Sequence, residues 1–131
     1  MNDPLGEFHT SSKIAHIVGI AGGIGITPFR ALIKDISLGI IPHTKLTLIY
    51  SAVGPHIFKD ELEILAQHSD IEIIYTQTPD EVNTALDQQI NAQGNSAHYF
   101  VSGSPGMIGA IRKTLKSKGI RHIINDPFKG Y

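Results

Sequence analysis

The run from Ile14 to Ala21 is apolar at nearly every position and stops at Gly22-Gly23, which is the pattern of a β-strand covered on both faces. A strand with no solvent-facing side belongs at the centre of a sheet that carries helices above and below. The rest of the chain repeats the alternation. Pro28 to Leu38 places Phe29, Leu32, Ile33 and Ile36 on one helical stripe, and Gly39 is positioned to end it. Leu46 to Tyr50, Ile71 to Tyr75, His98 to Ser102 and Ile120 to Asn125 read as further strands. Between them, Phe58, Leu62, Leu65 and Ala66 stripe a second helix, Val82, Ala85, Leu86 and Ile90 a third ending near Gly94, and Ile108, Ile111 and Leu115 a fourth closed by Gly119. The pattern predicts an α/β fold of one domain, a doubly wound parallel five-stranded sheet of order 3-2-1-4-5 with helices on both faces.

Composition narrows what such a domain does. With 131 residues, 41% of them hydrophobic, the chain is the size of one self-sufficient domain. Eleven Lys and Arg are scattered among twelve Asp and Glu, for a net charge of -1, and no basic stripe tracks a phosphate backbone, so nucleic acid is not an expected partner. No apolar run reaches the ~18 residues of a membrane helix, and the first ten residues lack the pattern of a signal peptide. The absence of cysteine rules out thiolate chemistry and fits a reducing compartment, so a cytoplasmic location is expected.

Two strands end in the same chemistry. Gly22-Gly23-Ile24-Gly25-Ile26-Thr27-Pro28 follows the first, and Gly103-Ser104-Pro105-Gly106 follows the fourth. In each, a hydroxyl residue (Thr27, Ser104) stands where a helix N-cap belongs and a proline (Pro28, Pro105) where the first helical residue belongs. Glycines let backbone approach a ligand, and helix starts attract anions. In the 3-2-1-4-5 order these two strands are neighbours at the point where the winding reverses, so the turns face one crevice. A dinucleotide suits it, its pyrophosphate on the first turn and its nicotinamide reaching the second. The first turn is neither a phosphate loop with its Lys nor the GxGxxG fingerprint, because Pro28 stands in the third glycine's place.

Ala21 to Arg30 resembles the GGxGITP signature of the ferredoxin-NADP reductase superfamily. Leu48-Ile49-Tyr50-Ser51 with Phe58, Glu61 and Leu62 resembles that family's second strand and following helix. Tyr99 to Met107 resembles its CGP-type strand end, and Asp126-Pro127-Phe128-Lys129-Gly130-Tyr131 its closing segment. Asp3 to Phe8 resembles the GPxGxF block that ends the family's flavin-binding barrel, whose remaining motifs are missing here. The resemblance implies residues 1–12 as the tail of a barrel domain and 13–131 as the NAD(P)H-binding domain, in a chain cut from a longer enzyme, with a natural one-domain protein as the alternative.

The same resemblance implies delivery of hydride from NADH or NADPH to FAD or FMN held by the absent flavin-binding domain, with an electron acceptor protein or iron-sulfur domain beyond it. Gly22, Gly23, Gly25, Ile26, Thr27 and Pro28 would border the pyrophosphate and nicotinamide ribose, Tyr50 and Ser51 the adenosine side, and Gly103, Ser104, Pro105 and Met107 the nicotinamide end. Ser102 stands where many relatives carry a Cys beside the transferring hydride, so Ser102 and Asp126 are the expected catalytic positions, with Phe128 near the flavin ring. After Tyr50-Ser51, relatives commonly place an Arg for the adenosine phosphate, whereas this chain reads Ala52-Val53-Gly54-Pro55. The reading therefore favours NADH, with His56 or Lys59 as the residues able to substitute.

Other classes fit less well. The seven histidines show no i, i+4 pair, so no metal site is expected. The sequence around Ser102 and Ser104 does not meet the Gly-x-Ser-x-Gly pattern of a hydrolase. A flavodoxin-like FMN binder would need a Ser/Thr-rich loop after the first strand. The alternative kept open is a stand-alone nucleotide-binding or regulatory module without redox activity.

Overall fold

The computed structural model describes residues 16–41 and 43–125. Strands β1 (His16–Gly22), β2 (Lys45–Ser51), β3 (Ile71–Thr76), β4 (His98–Ser102) and β5 (Ile123–Asn125) form one parallel sheet in the order β3-β2-β1-β4-β5, as the alternation predicts. Four helices connect them: α1 (Ile26–Ser37), α2 (Lys59–Leu65), α3 (Pro79–Gln93) and α4 (Pro105–Ser117).

Alternate residues of β1 enter opposite cores. Ile17 and Ala21 join Phe29, Leu32, Ile33 and Ile36 of α1 and Leu62 of α2 on one face. Val18 and Ile20 join Val82, Ala85 and Leu86 of α3 and Ile111 and Leu115 of α4 on the other. The two layers account for the unbroken apolar run, since β1 pairs with β2 on one side and β4 on the other and has no edge in water. Gly19 belongs to this packing, because a Cβ there would come within 2.6 Å of the Phe29 ring. Burial of each such aliphatic or aromatic side chain contributes about 1.5–3 kcal/mol.

Helix ends depart from the sequence reading at three places. A single 3₁₀ turn, Gly23–Gly25, runs into α1, which begins at Ile26 with no side-chain cap. Thr27 is therefore not the N-cap, and Pro28 is not the first helical residue; both lie within the first turn. Phe58 does not join the α2 stripe. It precedes the helix in a left-handed conformation (φ 63) and carries the Arg30 guanidinium 4.2 Å above its ring, while Arg30 pairs with Glu61. Ile120 does not begin β5. It donates its amide to Leu115 and packs beside it as the last step of the turn that ends α4 on Gly119 (φ 80). Gly39 ends α1 by the same motif, with Ile40 bonded to Asp35 and Gly39 to Ile36.

Two histidines stand at the amino edge of the sheet. His16 shares a 3.0 Å hydrogen bond with Thr47, and His98 stacks on His122 with ring centroids 4.5 Å apart. Burial, and then Lys45 for His16 and His122 for His98, lowers both below the free value of 6.5. The unfolded chain therefore takes up these protons more readily than the native one. Their contribution to stability is whole above pH 6.5 and is lost as pH falls through the lower native values. Urea midpoints are expected to drop between about pH 7.5 and pH 5, and the drop should shrink in a His16→Gln/His98→Gln protein. An unchanged slope in that variant would remove these two groups from the acid response.

Candidate functional site

The strands β1, β2 and β4 end at one edge, and their following turns enclose a hollow of about 680 Å³. It is lined by the Gly22–Ile24 turn, by Ser51, Ala52 and Val53 after β2, and by the Gly103–Pro105 turn with Met107 of α4. The volume lies within the range of small-molecule sites.

Three glycines of the first turn do different things. Gly23 has φ 55, a left-handed conformation that glycine adopts without penalty. Gly25 has an ordinary φ of -62. Its lack of a side chain answers to space, because a Cβ would lie 2.3 Å from the Ser102 carbonyl oxygen and 2.9 Å from the Gly103 amide nitrogen. At Gly22 a Cβ would meet the Met107 sulfur at 2.1 Å, the far end of a flexible side chain. The start of α1 is thus seated against the end of β4, and the thioether of α4 lies over the end of β1.

The second turn follows the sequence reading. Ser104 is extended (φ -67, ψ 154), its hydroxyl accepts from the Met107 amide at 3.3 Å, and Pro105 opens the helix. At the first turn, the 3₁₀ segment directs the Ile26 amide to the Gly23 carbonyl. The unbonded amides at that end consequently belong to the glycine turn itself, which moves the positive end of α1 back to the rim of the hollow.

The wall on the β2 side is fixed by His56. Its Nε2–H donates to the carbonyls of Tyr50 (3.1 Å) and Thr76 (2.8 Å), joining the ends of β2 and β3. The ring sits edge-on between Tyr50 and Tyr75, with centroids 4.8 and 5.1 Å away. Lys59 lies 5.0 Å from the Tyr75 ring and 3.9 Å from Glu63. Of the two residues considered as substitutes for the missing Arg, His56 is thus engaged on the strand ends and Lys59 lies beside Tyr75 and Glu63.

Of the expected site residues, Gly22, Gly23, Ser51, Gly103, Ser104, Pro105 and Met107 line the hollow. Gly25, Ile26, Thr27 and Pro28 form the start of α1 behind it, with Ile26 fully buried and Thr27 exposed. Tyr50 does not line the hollow: its ring is fully buried and its hydroxyl donates to the Ile57 carbonyl. Ser102 is 4% exposed, one residue below the lining. Asp126, Phe128 and residues 1–12 lie outside the described residues. Sequence reasoning missed Ile24 and Val53, exposed by 84% and 98% at the rim, whose only signal is their place beside the glycine and strand-end residues.

The family profile described as the oxidoreductase NAD-binding domain matches residues 20–113. The chain belongs to that family. The match begins inside β1 and ends inside α4, so it takes in both turns of the hollow. NADH-cytochrome b5 reductase 1 of Emericella nidulans is 32% identical over 85% of this chain and 42% of that protein. The flavohemoprotein of Bacillus subtilis is 29% identical over 88% of this chain and 33% of that protein. The chain spans less than half the length of these curated relatives. Among solved structures, a ferredoxin reductase in carbazole 1,9a-dioxygenase (FAD apo form) superposes with a TM-score of 0.71 at 18% identity, covering 91% of this chain and 36% of that one. The ferredoxin-NADP+ reductase of Plasmodium falciparum gives 0.67 at 20%, covering 85% and 52%. These likenesses establish the fold.

The glycine contacts set an order of effects. Gly25→Ala is expected to cost about 1–3 kcal/mol in urea unfolding, because backbone must move. Gly22→Ala should cost less stability but more ligand affinity, since a displaced Met107 turns into the hollow. A Gly25→Ala domain as stable as the parent would show that α1 and β4 are not held at this contact.

Proposed function

We propose that this domain binds NAD(P)H and presents its nicotinamide to a flavin carried by a second domain, as the nicotinamide-binding half of a flavin-dependent oxidoreductase. The observation that carries the reading is the single hollow between two glycine turns at the switch point of the sheet. Its lining holds no charged side chain among the described residues, so a pyrophosphate is met by backbone amides and helix dipoles. The fit is chemical as well as spatial. Gly22 and Gly103 keep side chains off the floor, and Met107 and Pro105 supply apolar surface for a nicotinamide ring.

In this reading Gly22, Gly23, Gly25 and Thr27 border the pyrophosphate and adjoining ribose, backed by Ile26 and Pro28. Gly103, Ser104, Pro105 and Met107 flank the nicotinamide, with Ser102 beneath it. Tyr50 acts through packing, by holding the strand end that carries Ser51. Asp126 and Phe128 keep the roles that the family resemblance implies for the closing segment. When bound, the nicotinamide supplies hydride to the flavin, and the electrons pass on to an acceptor protein or iron-sulfur domain. This chain's own part is to hold and orient the dinucleotide.

Calorimetric titration of the 131-residue chain with NADH and NADPH is expected to show single-site binding of at least one at millimolar Kd or tighter. Silence from both at millimolar concentration would overturn the reading. Binding without NADH oxidation by the chain joined to a flavin domain would point instead to a nucleotide-binding regulatory module.

A further inference from the structure

Readily oxidised side chains are few in this chain, which has no cysteine, no tryptophan and two methionines, Met1 and Met107. Among the described residues Met107 is the one thioether, and the fold sets it between the two glycine turns. A Cβ at Gly22 would overlap its sulfur, and one at Gly103 would stand 3.0 Å from it. The sulfur therefore lies across the seam where the end of β1 meets the end of β4. A smaller hollow of about 320 Å³ lies beside the first, and Ser51, Val53 and Met107 line both. The Met107 side chain is half-buried: it packs against the core that holds Ile111 and Leu115 and keeps an open side toward the hollows.

We propose that Met107 is a reversible oxidation site whose sulfoxide closes the first hollow to the dinucleotide. The inference rests on the dinucleotide reading of that hollow. The oxidant is hydrogen peroxide. A sulfur lone pair takes one peroxide oxygen as the O–O bond breaks, and the other oxygen leaves as water with both protons. Sulfur is oxidised, and peroxide reduced, by two electrons. The new oxygen finds no room on the side of Gly22 and Gly103, where an added carbon already overlaps or presses on the sulfur. It has to point into the space that the ligand takes, or drive the side chain there. A sulfoxide is polar where the thioether is apolar, so the wall offered to a nicotinamide ring is lost as well. The negative end of the S–O dipole then faces a hollow that has no charged side chain among its described lining to offset it. Reversal consumes two thiols, which become a disulfide while the oxygen leaves as water. This chain has no thiol, so a methionine sulfoxide reductase must supply them.

The test treats the full chain with dilute hydrogen peroxide, removes the peroxide, and locates the added oxygen by peptide mass spectrometry. Met107 is expected to gain one oxygen while urea unfolding still shows a cooperative, folded protein. Calorimetry with whichever of NADH and NADPH the untreated chain binds more tightly should find the oxidised chain at least about tenfold weaker. Methionine sulfoxide reductases for both epimers, with dithiothreitol as thiol donor, should restore the original Kd. Met107→Leu is a nearly volume-conserving change with an affinity of its own, and peroxide should leave that affinity where it was, whatever happens to Met1. A Met107 that stays reduced in the folded chain overturns the inference. So does a sulfoxide form that binds as tightly as the untreated chain, one that no longer folds, or a peroxide-induced loss of the same size in Met107→Leu. Each of these leaves the dinucleotide reading standing. Failure of the untreated chain to bind either dinucleotide removes that reading, and this inference with it.

Discussion

The contact between Gly25 and the Ser102 carbonyl sets the geometry of the whole carboxyl edge. With a Cβ excluded at 2.3 Å, α1 can begin directly against β4 although it follows β1 in the chain. Both glycine turns are thereby brought to the rim of one hollow. Met107 completes the arrangement from the opposite direction, its sulfur lying over Gly22 at the place where a side chain would otherwise stand. The opening between strand ends is thus bounded by backbone and one thioether, with no bulky or charged group at its floor.

The two cores and the strand-end clamp keep that edge in register. Ile17 and Ala21 face one helical layer and Val18 and Ile20 the other, so β1 cannot slip by one residue without exchanging its two faces. On the β2 side, the single Nε2–H of His56 bonds to carbonyls of two strands, and the Tyr50 hydroxyl bonds back to Ile57. The loop from Ala52 to Ile57 is therefore tied at its far end, while Val53 stands out at the rim. Rigid support beneath an open mouth is the arrangement that orients a long, flexible ligand with little loss of further freedom.

The sheet order was legible because each strand is a short apolar run closed by glycine, proline or a hydroxyl, and because β1 is apolar on both faces. Ser104-Pro105 was legible as a helix start, since cap and proline act locally. Thr27-Pro28 has the same appearance, but the left-handed Gly23 lets a 3₁₀ turn form first and α1 begins two residues before the proline. Ile120 reads as strand for a similar reason, an apolar residue next to a strand that in fact seals the end of α4. Tyr50 carries the composition of a binding residue but lies inside the fold. A smaller hollow beside the first could not be placed in full: Ile111 is an ordinary helix residue until the packing of α3 and α4 brings it beside Ser51.

The parallel pairing of β1 with β4 joins two parts of the chain that are far apart in sequence, the winding β1-β2-β3 and the returning β4-β5. The first hollow exists only where these halves meet, with one glycine turn contributed by each. Contacts of such long sequence separation are entropically the hardest to close in a folding chain. A molecule touching both turns would therefore act as a brace across that seam, lending its binding energy to the cohesion of the halves. Parting of the seam would take the cradle apart whether or not either half kept its helices.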